Sequence, residues 1–237
     1  MRSRVEEGRG NMLGSVAAGL RRFALKRYAD HGTSLAVQAA LGRCLCQIPE
    51  GSRGLQVGSG SNRLHPAVVN LDLAHNPSLD CCGRAEKLPF RNGSFSLVVS
   101  QEVLEHVQDP NAALEEMHRV LDTHGQLYCQ VPFIIGYHPG PTDFWRFSRE
   151  GIRAIVERAG FVRAEVGISV GPCYGFYRIA VEFGAVLASR CLPALYLPTK
   201  GLLALLLAPV KWLDPLMRTG AQSDRVAGGY FVIAHKE

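Results

Sequence analysis

The sequence predicts an α/β protein with a doubly wound, mostly parallel sheet. Two observations carry this prediction. From Leu55 onward, short apolar runs separated by Gly, Asn and Asp alternate with segments of helical spacing. The chain also has 237 residues, 47% of them hydrophobic, which is enough to bury a sizeable core without disulfides. Disordered and fibrous classes are therefore excluded.

The apolar runs predict the strands, and the periodic segments between them predict the helices. Strands are expected near 54–58, 68–72, 79–82, 95–100, 125–132 and 161–169, with a last one in GGYFVIAHK. Helices are expected at 110–121 and 148–159. Strands that alternate with helices imply a parallel sheet covered on both faces. We therefore place a core domain at 51–172 and its final strand at 226–237.

The N-terminal residues 1–50 predict a helical lid or docking segment. Residues 12–29 have apolar side chains on one face and basic ones largely on the other, and residues 33–47 form a second helix with Thr33 and Ser34 as its cap. The basic residues of the first helix are Arg21, Arg22, Lys26 and Arg27.

Residues 173–225 predict an apolar helical insertion. A helical region at 173–190 is followed by the apolar segment 192–213 and a polar loop at 214–227. The stretch Leu202–Val210 is continuously apolar but is only about half the length that a membrane-spanning helix needs, and Pro209 lies inside it. Lys200, Lys211 and Trp212 at its ends suit a membrane surface. We expect contact with a membrane or with a second copy of the chain. The alternative is a helix enclosed within the monomer.

Charge and cysteine content narrow the classes further. The 26 Lys and Arg against 21 Asp and Glu form no dense basic stripe with interleaved aromatics, so no nucleic-acid partner is expected. The seven cysteines have spacings that match neither zinc ligation nor a redox pair, so we expect a reducing cytoplasm and no metal. The N-terminal segment is charged and broken by Gly, so no export is predicted.

A glycine turn indicates the ligand. Gly58-Ser59-Gly60 directly follows a predicted strand, and Asp72 ends the next strand. Such glycines let a cofactor approach the backbone, and such an acid accepts ribose hydroxyls, although a plain turn would have the same pattern. The crossover 59–67 is too short for a full helix, on whose N-terminus a dinucleotide would place its pyrophosphate. S-adenosylmethionine, which has no phosphate, is therefore favoured over NAD and FAD.

Six ordered segments resemble the class I S-adenosylmethionine-dependent methyltransferases of type 11. They are LQVGSGSN (55–62), NLDL (70–73), GRAEKLPF (83–90), SFSLVVSQEVLEHV (94–107), EEMHRVLDTHGQLYCQVPF (115–133) and HPGPTDFWRFSREGI (138–152). The resemblance covers about residues 52–170 and implies the Rossmann-like methyltransferase fold. The last segment looks like a subgroup that often accompanies polysaccharide or other secondary-product biosynthesis.

The resemblance also implies the cofactor contacts. Gln56, Gly58, Ser59 and Gly60 would contact the methionine part and the ribose, and Asp72 would accept the ribose hydroxyls. The adenine would lie against Leu73, Ala85, Glu86 and Leu88. The sulfonium would lie near Ser100, Gln101 and His106. Leu73 and Leu88 could instead be core residues, and His106 an ordinary polar residue on a helix opening QEVLEHV. Three positions lose an acid that the family usually has, namely Gln56, Arg84 and Ser96. Weak cofactor binding or loss of activity could follow.

The predicted activity is methyl transfer to a small-molecule, sugar-like or lipid-linked acceptor in the cytoplasm, at the inner face of a membrane for a lipid-linked one. Methyl transfer from a sulfonium is an in-line displacement, which needs the acceptor nucleophile to be aligned with the methyl group and to lose one proton. The loop after the fifth strand, which contains Tyr137, Trp145 and Arg146, should roof the acceptor pocket, with His138 as general base beside Asp143. Alternatively, His138 and Asp143 only brace the loop. Rival functions are a catalytically silent, membrane-associated or partner-binding subunit and an RNA methyltransferase.

Overall fold

The computed structural model describes residues 34–140 and 142–237, so the predicted helix at 12–29 lies outside the described residues. Seven strands form one sheet in the order β3-β2-β1-β4-β5-β7-β6. Only β7 is antiparallel to its neighbours. The strands are β1 Gly54–Val57, β2 Val68–Asp72, β3 Cys81–Cys82, β4 Phe95–Gln101, β5 Leu121–Pro132, β6 Val162–Val170 and β7 Gly229–His235. The predicted fold class is confirmed.

Six α-helices lie in the described part of the chain. They are α1 Leu35–Cys46, α2 Pro110–Val120, α3 Arg149–Arg158, α4 Pro172–Ser189, α5 Tyr196–Leu206 and α6 Asp214–Arg218. The first three are capped by side chains that accept backbone N–H groups of the first turn, Ser34 for α1, Asp109 for α2 and Ser148 for α3. The predicted cap at Ser34 is therefore confirmed.

The sheet is covered on both faces, as the continuous apolar strands predict. On one face, α1 packs against Leu97, Val99 and Tyr128. On the other, α2 and α3 pack around Leu55 and Val98 in the larger core cluster. Successive residues of β4 thus point to opposite faces, and both sets are buried. No helix occurs among residues 58–67 between β1 and β2, in agreement with the short crossover.

Two local predictions are wrong. The segment QEVLEHV does not open an α-helix but forms a single 3-10 turn at Leu104–His106. The predicted polar loop 214–227 contains α6, and its residue Asp214 has a structural role. The Asp214 carboxylate accepts the Cys173 N–H at 3.0 Å and so caps α4, whose own N-cap Gly171 has no side chain to do this.

The apolar insertion differs from a continuous buried helix. Helix α5 ends at Leu206, and a 3-10 segment follows at Ala208–Leu213, because Pro209 has no N–H to continue an α-helix. Within α5 only Ala204 is buried. No single helix among the described residues is long and apolar enough to cross a membrane, whereas the bent pair Pro193–Leu206 and Ala208–Arg218 reaches that length and composition together.

Candidate functional site

A cavity of about 410 Å³ opens at the carboxyl ends of β1, β2 and β4, where doubly wound sheets bind ligands. Its volume is within the range of small-molecule sites. Seven predicted cofactor residues line it, namely Gly58, Gly60, Asp72, Leu73, Ala85, Glu86 and His106. The sequence therefore located the cavity and part of its wall.

The glycine turn after β1 forms the floor of the cavity. Gly58 and Gly60 have positive φ angles of 69° and 52°, a backbone region that favours glycine. A Cβ atom on Gly58 would also collide with the side chain of Val103, which lines the opposite wall. Both the turn and the close approach therefore require glycine at position 58.

Asp72 is fixed at the end of β2 by two backbone donors. Its Oδ2 atom accepts the Gly60 N–H at 2.8 Å, and its Oδ1 atom accepts the Ala74 N–H at 3.0 Å. An ionised carboxylate has about four acceptor positions, so roughly two remain open toward the cavity. Asp72 is thus held in place and can still accept hydroxyl groups.

Five predicted cofactor residues do not line the cavity. Gln56 and Ser100 are buried, and the Oε1 atom of Gln56 and the hydroxyl of Ser100 have no hydrogen-bond partner among the described residues. Ser59 is also buried, and Gln101 lies beside Gln130, its Nε2 atom 3.5 Å from Oε1. Leu88 belongs to the core, in agreement with the alternative stated for it.

The structure adds wall residues that the sequence did not indicate. Glu102, Val103, Val107, Gln108, Thr142 and Phe144 line the cavity. Glu102 has a positive φ of 55°, which is strained for a residue with a side chain and is typical of functional sites. This angle could not be found in the sequence. Arg84 also lines the cavity and pairs with Glu86 across 3.4 Å.

The loop after β5 is attached to the turn 102–107 by several hydrogen bonds. The Phe144 N–H donates to the Glu105 carbonyl at 2.7 Å, and the Trp145 indole N–H donates to the Val107 carbonyl at 3.0 Å. The Thr142 hydroxyl donates to the His106 carbonyl, and the His106 Nδ1 atom contacts the Thr142 carbonyl. The loop therefore forms a fixed roof, as its position after β5 predicts.

Asp143 and Arg146 brace this roof. Both carboxylate oxygens of Asp143 accept from the guanidinium of Arg146, and Oδ2 also accepts the His138 N–H at 2.9 Å. Burial alone would raise the pKa of Asp143, but these hydrogen bonds outweigh it and hold the pKa below its ordinary value. Arg146 further donates to the carbonyls of Ile135, Gly136 and Trp145. Its donors are thus used inside the loop, whereas Tyr137 is largely exposed.

His138 lies between two acids. Its Nδ1 atom is 3.8 Å from Asp143 Oδ2, and its Nε2 atom is 3.9 Å from Glu105 Oε1. Burial, followed by the charge of Arg178, lowers the pKa of His138, so the ring is neutral near pH 7. Burial and the neighbouring Glu102 raise the pKa of Glu105 to about 9.

The fold and this cavity define a Rossmann-like protein of the methyltransferase type, and comparison with known proteins agrees. Residues 55–129 match the family described as "Methyltransferase domain". An uncharacterized methyltransferase of Schizosaccharomyces pombe, C1B3.06c, is 44% identical over 62 residues, which cover 26% of this chain and 22% of that protein. The uncharacterized protein YafE of Escherichia coli is 37% identical over 71 residues, covering 30% and 33%. The matches thus span between a fifth and a third of these relatives.

Among solved structures, the chain is similar to phosphoethanolamine N-methyltransferase 2 of Haemonchus contortus, with a TM-score of 0.54. That structure is a complex with phosphomonomethylethanolamine and S-adenosylhomocysteine. It is 15% identical, and the alignment covers 90% of this chain and 56% of that one. At this identity the likeness shows the fold. The match of residues 55–129 to the methyltransferase-domain family confirms the predicted resemblance, and with it S-adenosylmethionine as the predicted cofactor.

Proposed function

We propose that this protein transfers the methyl group of S-adenosylmethionine to a small-molecule, sugar-like or lipid-linked acceptor. The cavity at the carboxyl ends of β1, β2 and β4, with its glycine turn and fixed Asp72, carries the proposal. When bound, the cofactor supplies a methyl group on a positively charged sulfur, and S-adenosylhomocysteine is the coproduct. The chain has to bind both reactants, align them and exclude water.

The described residues divide this work along the cavity. The free acceptor positions of Asp72 receive the ribose hydroxyls, while Leu73 and Ala85 flank the adenine. The carboxylate of Glu86 compensates for the acid that the family pattern loses at Arg84, because it lies at the same wall. His106 and the loop residues Gly140 and Thr142 close the opposite end, where the acceptor enters.

The structure changes our proposal for the residues that would take the proton of the acceptor. Asp143 is used by Arg146 and by the His138 backbone, so it braces the loop as the alternative prediction states. The Nε2 atom of His138 faces Glu105 and adjoins the ring of His106, whose centroid is 5.3 Å from that of His138. We therefore infer that Glu105, His106 and His138, rather than one His–Asp pair, meet the acceptor.

Calorimetric titration with S-adenosylmethionine tests the cofactor part of the proposal. Loss of hydrogen bonds to a charged acceptor costs about 1.5–3 kcal/mol, so Asp72→Ala should weaken binding roughly tenfold to a hundredfold. Asp224→Ala is the matched control, because Asp224 lies on the surface and pairs with Arg149. Unchanged affinity in Asp72→Ala would show that the ribose assignment is wrong. A parent protein that binds no cofactor would favour the catalytically silent alternative.

We also propose that the insertion contacts a lipid surface. Large apolar side chains are exposed along α4, at Phe176, Ile179, Phe183, Val186 and Leu187, and Trp212 in the following segment is 77% exposed. Exposed apolar patches of this kind mark interaction sites. Residues 192–213 contain no acid, and both lysines turn inward, Lys200 to Glu182 at 2.7 Å and Lys211 over the rings of Tyr174 and Tyr177. The segment 192–213 therefore turns its charges inward, and its exposed apolar side chains suit lipid.

These lysine contacts differ from the expected headgroup contacts, so anionic lipid should matter less than apolar insertion. Liposome flotation should recover the parent protein with neutral vesicles, and the double variant Trp212→Ser, Leu216→Ser should float less. Arg158→Ser, on the far helix α3, is the control. Light scattering of the free protein separates the remaining options. A dimer that never floats would favour a seam between two copies, and a monomer that never floats would contradict both interpretations.

A further inference from the structure

A cluster of three side chains at the acceptor end of the cavity is not explained by cofactor binding. The ligand-type atoms of Glu105, His106 and His138 all lie within 4.8 Å of one another. His106 Nε2 is 3.6 Å and His138 Nε2 is 3.9 Å from Glu105 Oε1. The two histidines come from different segments, the turn after β4 and the loop after β5.

The carboxylate in this cluster is buried without a donor. The Glu105 side chain has no exposed area, and apart from the adjacent carboxyl group of Glu102 neither of its oxygens has a hydrogen-bond partner among the described residues. The nearby guanidinium of Arg146 donates to Asp143 and to carbonyl groups instead. Buried carboxylates are ordinarily paired with a cation or coordinated to a metal.

The two imidazoles offer acceptors to the same space. The Nδ1 atom of His106 contacts the carbonyl of Thr142, so this nitrogen carries the ring proton and Nε2 carries a lone pair. For His138, Nδ1 has no hydrogen-bond partner among the described residues, and the Asp143 carboxylate 3.8 Å away is the nearest acid on that side of the ring, while Nε2 faces Glu105. The Nε2 atoms of both imidazoles and a carboxyl oxygen of Glu105 thus converge within 4.8 Å of one another, an arrangement that can hold a cation.

The outer contacts are those of metal-binding histidines. Such histidines generally donate their second ring nitrogen to a backbone carbonyl or a carboxylate, which fixes the tautomer and the ring orientation. Here Thr142 has this position for His106, whereas the Asp143 carboxylate, held by Arg146, lies 3.8 Å from the Nδ1 atom of His138 and is not hydrogen-bonded to it. The bracing of the roof loop therefore also positions the cluster.

We propose that Glu105, His106 and His138 bind a divalent metal ion that coordinates the oxygen of the methyl acceptor. Two imidazole nitrogens and one carboxylate suit zinc, manganese and similar ions, and three protein ligands leave coordination positions open. Bonds of about 2.0–2.1 Å place tetrahedral ligand atoms roughly 3.3 Å apart, so small side-chain rotations close the observed 3.6 and 3.9 Å.

The open side of the cluster determines the acceptor class. Glu105 is enclosed, whereas His106 lines the cofactor cavity, so the cluster adjoins the cavity on the His106 side. This step rests on the proposed methyl transfer. The metal lowers the pKa of an acceptor hydroxyl, whose proton passes to solvent. An O–CH3 bond then forms as the S–CH3 bond breaks, which gives a methyl ether, S-adenosylhomocysteine and one proton. The acceptor is therefore an alcohol, a phenol or an enol.

Binding of Mn²⁺ alone tests the site without requiring an acceptor. Manganese favours carboxylate and similar hard ligands over thiolates, so the free cysteines interfere little. The loss of the free-ion electron paramagnetic resonance signal reports the bound fraction. The parent should bind one Mn²⁺ per chain, and Glu105→Gln and His138→Ala should each weaken binding at least about tenfold. His124→Asn, at the opposite end of the sheet, should bind as the parent does.

A second measurement keeps the test independent of folding defects. Mn²⁺ should raise the unfolding temperature of the parent and of His124→Asn, but not that of Glu105→Gln. Glu105→Gln should fold, because it removes a buried carboxylate that has no donor. Equal Mn²⁺ affinity in the parent and in both cluster variants would overturn the proposal. A parent that binds S-adenosylmethionine but no Mn²⁺ overturns the metal site alone, whereas one that binds Mn²⁺ without S-adenosylmethionine overturns the proposed function.

Discussion

At Gly58, backbone conformation and side-chain packing both require glycine. Its positive φ and the adjacent Val103 side chain both exclude a Cβ atom. Gly58→Ala should therefore destabilise the fold by about 1–3 kcal/mol and weaken S-adenosylmethionine binding. Chemical denaturation and calorimetry measure the two effects.

Gly42 provides the matched comparison. It lies within α1, and a Cβ atom there would meet nothing within 4 Å. Gly42→Ala should stabilise the protein by about 0.5–1 kcal/mol, because alanine loses less entropy in a helix. If Gly58→Ala and Gly42→Ala changed the unfolding free energy by the same amount, the proposal that the turn requires glycine at position 58 would be wrong.

At this scale the sequence predicts what is local. Gly58, Gly60 and Asp72 could be located because strand ends and glycine turns leave a pattern in adjacent residues. Glu105 could not, because its significance depends on His138, which is far away in the sequence and reaches it through the loop after β5. The sequence analysis accordingly predicted no metal site from the cysteine spacings.

At the scale of elements, α2 positions the segment that follows the adenine wall. Arg119 donates to the carbonyls of Leu88 and Phe90 and to the side chain of Asn92, while Glu116 accepts from Arg119 and from the Leu88 N–H. Arg119→Lys cannot keep this fork of donors and should cost about 1–3 kcal/mol of unfolding free energy. Denaturant unfolding of the variant beside Arg158→Lys on the surface of α3 measures the difference.

This contact also predicts a dependence on pH. The hydrogen bond from Arg119 is the main cause that lowers the pKa of Glu116 below its ordinary value. An acid with a lowered pKa stabilises the fold fully above its unfolded pKa of about 4.3 and loses that contribution as the pH falls through the folded pKa. The Glu116→Gln variant should therefore be less stable than the parent above about pH 4.3, and the difference between their unfolding free energies should become smaller as the pH falls below that value. A deficit that stays constant with pH would contradict the ion pair.

The helical insertion shows where element prediction fails. Apolar spacing correctly indicated α4 and an apolar segment after it. The polar composition of 214–227 concealed α6, because Asp214 is polar in sequence but buried in the structure, where it caps α4 and pairs with Arg218. A cap supplied by a distant residue leaves no local signal.

For the whole molecule, cofactor binding should increase stability by mass action. At a concentration one hundred times the dissociation constant, a ligand of the folded state adds about 2.7 kcal/mol to the unfolding free energy. S-adenosylmethionine should therefore raise the unfolding temperature by roughly 5–11 °C for a chain of this size. Scanning calorimetry measures the shift, and Asp72→Ala at the same concentration should show a smaller one. No shift in the parent would contradict cofactor binding.

The overall fold was predictable because a buried parallel sheet requires continuous apolar strands, and these are visible along the chain. Strand lengths were less so. β5 begins at Leu121 rather than 125, because Leu121 pairs with Phe95 and an irregularity that contains the polar residues Asp122 and His124 separates it from the ladder that resumes at Gln126. The burial of both sheet faces then follows from the alternation of strands with α1, α2 and α3.

The position of β7 has a consequence for synthesis of the chain. Among the strands in the described part of the chain it comes last in sequence, yet it lies inside the sheet, and β6 is joined to the rest through it. While the ribosome is still adding Gly229–His235, the earlier strands β1 to β5 can pair, but β6 has no partner edge. The nascent chain therefore leaves the edges of β5 and β6 unpaired until Gly229–His235 emerge, and chaperones that cover strand edges can act at that stage.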